Sequence, residues 1–276
     1  NTDAEGVVDE TNLSGRLGVQ YDLDQNQMVY ATYSQGYKGP GFNVYYNFNP
    51  ANDGRPIGAE ESDAFEIGYK YASRDLLLNV ALFSTDIEGF QANNFDCSDG
   101  ACITRLTNAG DVTTQGIELD MMWNATDNLT LIGGAAYTKA EIDKFNCPEE
   151  ATCTDRSGLD VPFSPDMKYS LTAEYFMETE HGFNVYYNAS YIYTDEQYSD
   201  LPGNTGEFNP HSLLPDYSML NASVSFSFKD DAFRVSLIAK NLLDESYATT
   251  YSGDNFRYQI PRDADRYYGI AFKAQF

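Results

Sequence analysis

The chain closes on Arg266-Tyr267-Tyr268-Gly269-Ile270-Ala271-Phe272-Lys273-Ala274-Gln275-Phe276. In an extended chain successive side chains take opposite faces, so Tyr268, Ile270, Phe272, Ala274 and Phe276 share one side and Tyr267, Gly269, Ala271, Lys273 and Gln275 the other. The first face is mainly apolar, the second small or polar, and the alternation runs to the final residue. Chain ends fray unless a sheet ties them down, so this pattern predicts a paired terminal strand. Two settings fit it: the edge of a soluble sandwich, and the wall of a transmembrane β-barrel, whose strands turn alternate residues to lipid and lumen.

Composition narrows the choice. A formal net charge of -25 and a pI of about 4.1 exclude a nucleic-acid binder working through a basic footprint. Mean hydropathy is -0.47, and no apolar run reaches the ~18 residues of a transmembrane helix. Barrel strands escape that test because their alternation averages to a soluble value. Tyr 22 and Phe 17 against Trp 1 is a heavy aromatic load. Asn1 is not an initiator Met and no secretory leader is visible, so the chain is expected to begin inside a larger product.

Extending the period-2 reading upstream predicts eleven strands, near 13–21, 28–37, 64–71, 76–90, a segment ending at Trp123, 129–142, 168–176, 183–193, 217–228, 233–248 and the terminus. Short polar turns such as Ser73-Arg74-Asp75 and Lys229-Asp230-Asp231 alternate with long Gly/Pro/Asn-rich loops, as they do between the two sides of a membrane barrel. Tyr21, Tyr71, Trp123, Tyr175, Phe183, Phe228, Phe233 and Phe276 gather at the short-turn end, where an aromatic girdle belongs. A Greek-key sandwich has no reason to sort its loops by length. The reading is therefore an all-β, antiparallel transmembrane barrel segment occupying residues 1–276 as a single unit. An odd strand number cannot close an antiparallel barrel, and open edges in hydrocarbon are costly, so further strands are expected from the same polypeptide or a companion chain.

The cysteines fall as two close pairs, Cys97/Cys102 and Cys147/Cys153. A zinc site would need all of them to converge, and their spacing departs from the usual knuckle. Two local disulfides at loop tips, formed in an oxidising compartment, are the expectation. No metal site or cofactor is expected.

Several motifs carry a family resemblance. Tyr30-Ala31-Thr32-Tyr33-Ser34-Gln35-Gly36-Tyr37-Lys38-Gly39-Pro40-Gly41-Phe42-Asn43, Glu61-Ser62-Asp63-Ala64-Phe65-Glu66-Ile67-Gly68-Tyr69-Lys70, Asn108-Ala109-Gly110 followed by Gln115-Gly116-Ile117-Glu118-Leu119-Asp120, and Asn241-Leu242-Leu243-Asp244-Glu245-Ser246-Tyr247 follow in order along the chain. Together they resemble TonB-dependent outer-membrane receptors of siderophore type, specifically the C-terminal half of the 22-stranded barrel, with the last motif on the penultimate strand. The resemblance implies an outer-membrane protein of a Gram-negative bacterium, surrounded by lipid and lipopolysaccharide. It implies import of a scarce nutrient such as an iron–siderophore chelate, driven by a TonB-type transducer through a plug domain that this chain lacks. The terminal Tyr268, Ile270, Phe272 and Phe276 would be the signal read during barrel assembly. A passive porin or adhesin is the alternative, and an outer-membrane hydrolase a remoter one. The expected role is not enzymatic.

By strand phase Glu66 lies with Gly68 and Lys70, and Glu118 with Asp120, on the face opposite Ile67 and Leu119. These carboxylates therefore point into the lumen, where charge needs a partner. In the resembled family the glutamates matching Glu66 and Glu118 form salt bridges to plug arginines. Solvation in a wet lumen, or bonding to Lys70 and Arg16, is the other reading. Asp120, Glu174 and Lys240 are weaker lumen candidates. In the long loops Tyr45, Tyr46, Phe48, Phe95, Tyr198 and His211 are candidate contacts for a flat or aromatic ligand, against the plainer reading of solvated loop side chains.

Overall fold

The protein was analysed as a computed structural model describing residues 7–42, 56–96, 103–147, 154–202, 209–229, 231–252, 257–261 and 264–275. The strands are β1 (Arg16–Asp22), β2 (Gln27–Lys38), β3 (Glu60–Ala72), β4 (Leu76–Asp96), β5 (Ile103–Thr126), β6 (Leu129–Phe145), β7 (Met167–Glu178), β8 (Phe183–Thr194), β9 (Gln197–Tyr198), β10 (Leu213–Leu214), β11 (Tyr217–Phe228), β12 (Phe233–Lys240), β13 (Thr250–Ser252), β14 (Arg257–Gln259) and β15 (Tyr267–Ala274). An 11-stranded sheet runs β1-β2-β3-β4-β5-β6-β7-β8-β11-β12-β15, while β9 with β10 and β13 with β14 make small separate ladders. Every pairing in the large sheet is antiparallel between neighbours in the chain's own order. Among the described residues β1 pairs only with β2 and β15 only with β12, so the sheet is open. With an odd number of antiparallel strands, β1 and β15 run in the same direction.

Register locks the two faces. Ile67 lies opposite Leu82, Leu82 opposite Ile117, and Ile117 opposite Tyr137. One position along, Gly68, Ala81, Glu118, Ala136 and Lys168 form the next row on the other face. A one-residue slip would exchange the two sets wholesale. The apolar face has no cover: Leu17 is 70% exposed, Ile67 63% and Ile270 77%. Such a continuous apolar surface is far larger than a soluble monomer tolerates, and among the described residues no second sheet faces it. Its solvent is the lipid tail.

Aromatic rings border this face at two heights. Phe183 lies 5.8 Å from Phe228, and Phe233 lies 6.4 Å from Phe272, near the short turns. Tyr169 stacks on Tyr193 at 5.0 Å and Tyr33 leans on Phe65 at 4.7 Å toward the long loops. The second row completes a pair of interfacial belts.

Two boundaries differ from expectation. The strand anticipated to stop at residue 90 continues to Asp96, because bulges between Ile87 and Phe90 and between Phe90 and Gln91 absorb a break in register. Strands of 21 and 24 residues exceed the ~9–11 that cross a bilayer, so β4 and β5 project outward as a tall hairpin. At the other boundary, the strand anticipated over 233–248 ends at Lys240. Asn241 adopts a left-handed φ of 47° and turns the chain out of the ladder. The Asn241–Tyr247 motif is therefore a loop cap, not part of a strand.

Candidate functional site

Glu66 and Glu118 stand on the same inward face, in adjacent rows. Glu66 pairs across to Thr32 and Phe83, whereas Glu118 pairs across to Ala81 and Ala136. The Tyr30 hydroxyl donates to the Glu66 carboxylate, and Glu118 and Arg16 both lie within its electrostatic reach. The ring rests over Gly68, where any Cβ would run into it, and the Lys70 ammonium stands 5.3 Å from the ring centroid. Glycine is needed at 68 for this close approach. Sequence phase put both carboxylates on one face; the Tyr30 contact is not visible in that pattern because β2 lies three strands from Glu118 in the sheet order.

Among the described residues neither Glu66 nor Glu118 forms an ion pair with Lys70 or Arg16. Glu66 is half-buried and Glu118 exposed to the open inner face. Beside Glu118, Gly134 and Ala136 leave a shallow depression whose far wall is Lys168. Asp120 lines the same depression. Glu174 accepts from Asn188 Nδ2 at 3.2 Å, and Lys240 lies at the outer end of β12 opposite Tyr267.

The Asn108-Ala109-Gly110 motif acquires a specific role. Asn108 Oδ1 accepts from the Gly58 amide at 2.7 Å, and its Nδ2 donates to Gly58 O at 3.0 Å and Gly89 O at 2.6 Å. Gln91 Nε2 donates to Gly39 O at 3.0 Å and Gly58 O at 2.9 Å. A bridge between Gly41 and Ile57 closes the neck of the loop just beyond. Two amide side chains thus clamp both ends of the loop between β2 and β3 to the bulged β4–β5 hairpin. These contacts span 19 to 52 positions, out of reach of any local pattern.

In the outer loops Tyr198 is half-buried and His211 exposed. The Tyr198 carbonyl accepts from Phe163 N at 2.8 Å. His211 lies in a short 3-10 turn (Pro210–Ser212) capped by Asn209, and its ring stacks on Tyr251 at 6.0 Å. Asn209 Nδ2 donates to the Tyr251 hydroxyl at 3.3 Å, and Tyr217 stacks on Tyr247 at 4.2 Å. Leu214, Ser212 and Ala264 are buried beneath them. Tyr45, Tyr46 and Phe48 lie outside the described residues. Phe95 sits opposite Thr104 in the outward extension of the β4–β5 hairpin. Cys147 is disulfide-bonded, whereas Cys97, Cys102 and Cys153 lie outside the described residues, as does Phe276. Tyr268, Ile270 and Phe272 lie on the apolar face of the edge strand β15 and are exposed.

In the turn beyond β6, Asp155 accepts from the Ser157 amide at 2.9 Å and the Ser157 hydroxyl at 2.6 Å, which hold its carboxyl below the usual range. Ser157 Oγ in turn accepts from Phe145 N at 2.9 Å. Arg156 between them donates from Nε to Pro202 O at 2.8 Å and lies 4.7 Å from the Phe145 ring centroid. Partial burial lowers its pKa from the ordinary guanidinium value.

Comparison with known proteins agrees with this architecture. The profile described as "TonB dependent receptor-like, beta-barrel" matches residues 1–242. The chain is 27% identical over 258 residues to the catecholate siderophore receptor Fiu of Escherichia coli K12, covering 89% of this chain and 30% of that protein. It is 30% identical over 119 residues to the pesticin receptor of Yersinia enterocolitica, covering 43% of this chain and 17% of the receptor. Among solved structures, the ferric yersiniabactin uptake receptor FyuA of Yersinia pestis superimposes with a TM-score of 0.76 at 23% identity, covering 95% of this chain and 37% of FyuA. The chain thus spans less than a third of these curated relatives, 30% and 17% of their lengths. An uncovered apolar sheet face bordered by aromatic belts places this one, like them, in a Gram-negative outer membrane. The chain belongs to the TonB-dependent receptor-like β-barrel family.

Proposed function

We propose that this chain is the C-terminal part of the barrel of an outer-membrane receptor that imports an iron chelate, with energy delivered by a TonB-type partner through a plug held inside the barrel. Support comes first from the relatives, whose printed names describe siderophore receptors and ferric-chelate uptake. It comes second from the open sheet. Unpaired backbone groups at β1 and β15 are untenable in hydrocarbon, and parallel edges can be joined within an antiparallel cylinder only by an odd number of further strands. Eleven more, giving 22, meet that condition, and we assign them and the plug to the remainder of the receptor. The chain itself, residues 1–276, supplies one continuous wall segment. It catalyses no bond change. Its partners are the plug, the transducer, the surrounding lipid and lipopolysaccharide, and the ferric ligand.

The observation that carries the mechanism is the inward pair Glu66 and Glu118, the first bonded to Tyr30 and both without an ion-pair partner among the described residues. Cationic groups on the plug would complete the cluster and hold the plug shut until it is pulled. Glu66→Gln with Glu118→Gln should lower plug stability to denaturant by about 3–5 kcal/mol, the scale of breaking a desolvated pair from one side, while barrel unfolding stays unchanged. An unaltered plug transition removes this role.

Uptake of radiolabelled ferric chelate by iron-starved cells tests the function itself. Import should disappear on deletion of the receptor and on collapse of the protonmotive force. Uptake that survives the uncoupler would make the protein a passive channel instead.

A further inference from the structure

The outer layer holds a cation that neither the fold nor the plug reading uses. Arg156 is fixed from three directions. Its Nε donates to Pro202 O in the loop after β8, one guanidinium face covers the Phe145 ring, and its backbone lies in the Asp155–Ser157 turn strapped to the end of β6. Phe145 pairs with Gly110 beyond the register shift between Asp111 and Val112, at the outer end of the β5–β6 ladder. The guanidinium therefore stands at the outer end of the wall, at the barrel mouth.

Its terminal nitrogens have no partner among the described residues. Toward the outer side Lys38 is neutralised by Glu60 at 3.5 Å, Lys139 by Asp160 at 2.6 Å and Arg266 by Asp244 at 3.1 Å, whereas Lys144 and Lys240 pair with no carboxylate among the described residues. Among the described residues Arg156 forms no such pair either. Asp200 is near enough for its field to be felt, yet its Oδ1 accepts from Leu201 N at 2.9 Å. A guanidinium with Nε already engaged still presents N–H donors in a rigid plane suited to paired anionic oxygens. Because both loops already hold it, little side-chain freedom remains to be lost on binding. In a chain of net charge -25, an incoming anion meets repulsion until it reaches such a point.

We propose that Arg156 is an anion-recognition site at the barrel mouth, taking paired negative oxygens of an anionic ferric chelate, such as a catecholate or carboxylate pair. This rests on the import reading and names the charge class of its ligand. The complete receptor, titrated by intrinsic fluorescence, provides the test. One probe is anionic ferric tris-catecholate made from 2,3-dihydroxybenzoate; the other is neutral ferric tris-acetohydroxamate. Arg156→Gln should weaken the anionic probe by about tenfold, the scale of one charge-assisted forked contact, and leave the neutral probe within about twofold. Arg156→Lys should fall between, keeping charge but losing the fork. Asp200→Asn should tighten the anionic probe by about threefold, since a nearby negative charge is removed. Equal losses for both probes in Arg156→Gln would reduce Arg156 to a clip between two loops, and unchanged anionic affinity would overturn the site. If Asp200→Asn fails to tighten the anionic probe, the electrostatic account fails as well. Wild-type receptor that binds neither probe overturns the import reading itself.

Discussion

Replacing Asn241 with alanine should destabilise the barrel by about 3–6 kcal/mol, the largest single-site loss we expect. Asn241 is fully buried at the outer end of β12. Its Nδ2 donates to Glu245 O at 2.8 Å and Ala264 O at 2.7 Å, and its Oδ1 accepts from Glu245 N at 3.1 Å. Its own amide donates to Asn221 Oδ1 at 3.0 Å, anchoring the turn to β11. Truncation would strand the Ala264 carbonyl away from water, worth about 1–3 kcal/mol, and cost the half-buried Glu245 carbonyl and amide about 0.5–1 kcal/mol each. A left-handed alanine adds about 1 kcal/mol. Asn241→Gly removes that backbone strain but not the lost hydrogen bonds, so it should recover only the smaller part. The urea midpoint of the folded band that resists unheated SDS electrophoresis measures both. A change below about 1 kcal/mol in Asn241→Ala would show that this cap does not organise the loop over 241–266.

Second in size is Leu119→Arg. Leu119 lies opposite Val80 and Ala135 in the middle of the apolar face, flanked along β5 by Ile117 and Met121. An arginine at the bilayer midplane of a barrel costs about 2–4 kcal/mol. Asp120→Arg, one residue away, faces the wet interior and should change stability by less than about 1 kcal/mol. Folding equilibria of the receptor in lipid vesicles give the comparison. Equal penalties at 119 and 120 would contradict the assignment of faces.

Period-2 alternation made the strands and their faces legible, because lipid and lumen impose opposite chemistry on neighbouring residues throughout β1 to β15. It also put Glu66 and Glu118 on the face opposite Ile67 and Leu119, as the register has them. Where alternation persisted past a backbone switch, it misled: Leu242, Leu243 and Ala248 resemble a strand continuation, yet the left-handed Asn241 has already left the ladder. The bulges in β4 and β5 escaped notice for the converse reason, since an extra residue breaks the period without ending the pairing. The clamp of Asn108 and Gln91 on Gly39 and Gly58, the meeting of Tyr30 with Glu66, and the Arg156–Phe145–Pro202 contact are products of three-dimensional closure. Each joins residues that no local spacing relates.

The account rests on one wall having lipid on one side and water on the other. Single cysteines placed in turn at positions 117 to 122 of the membrane-embedded receptor, with its own cysteines left oxidised, probe that directly through a water-soluble thiol reagent and a lipid-borne spin label. Positions 118, 120 and 122 should react from the aqueous interior, while 117, 119 and 121 should be shielded from the reagent and relaxed by the lipid label. Uniform reactivity along the segment, or the opposite phase, would contradict it.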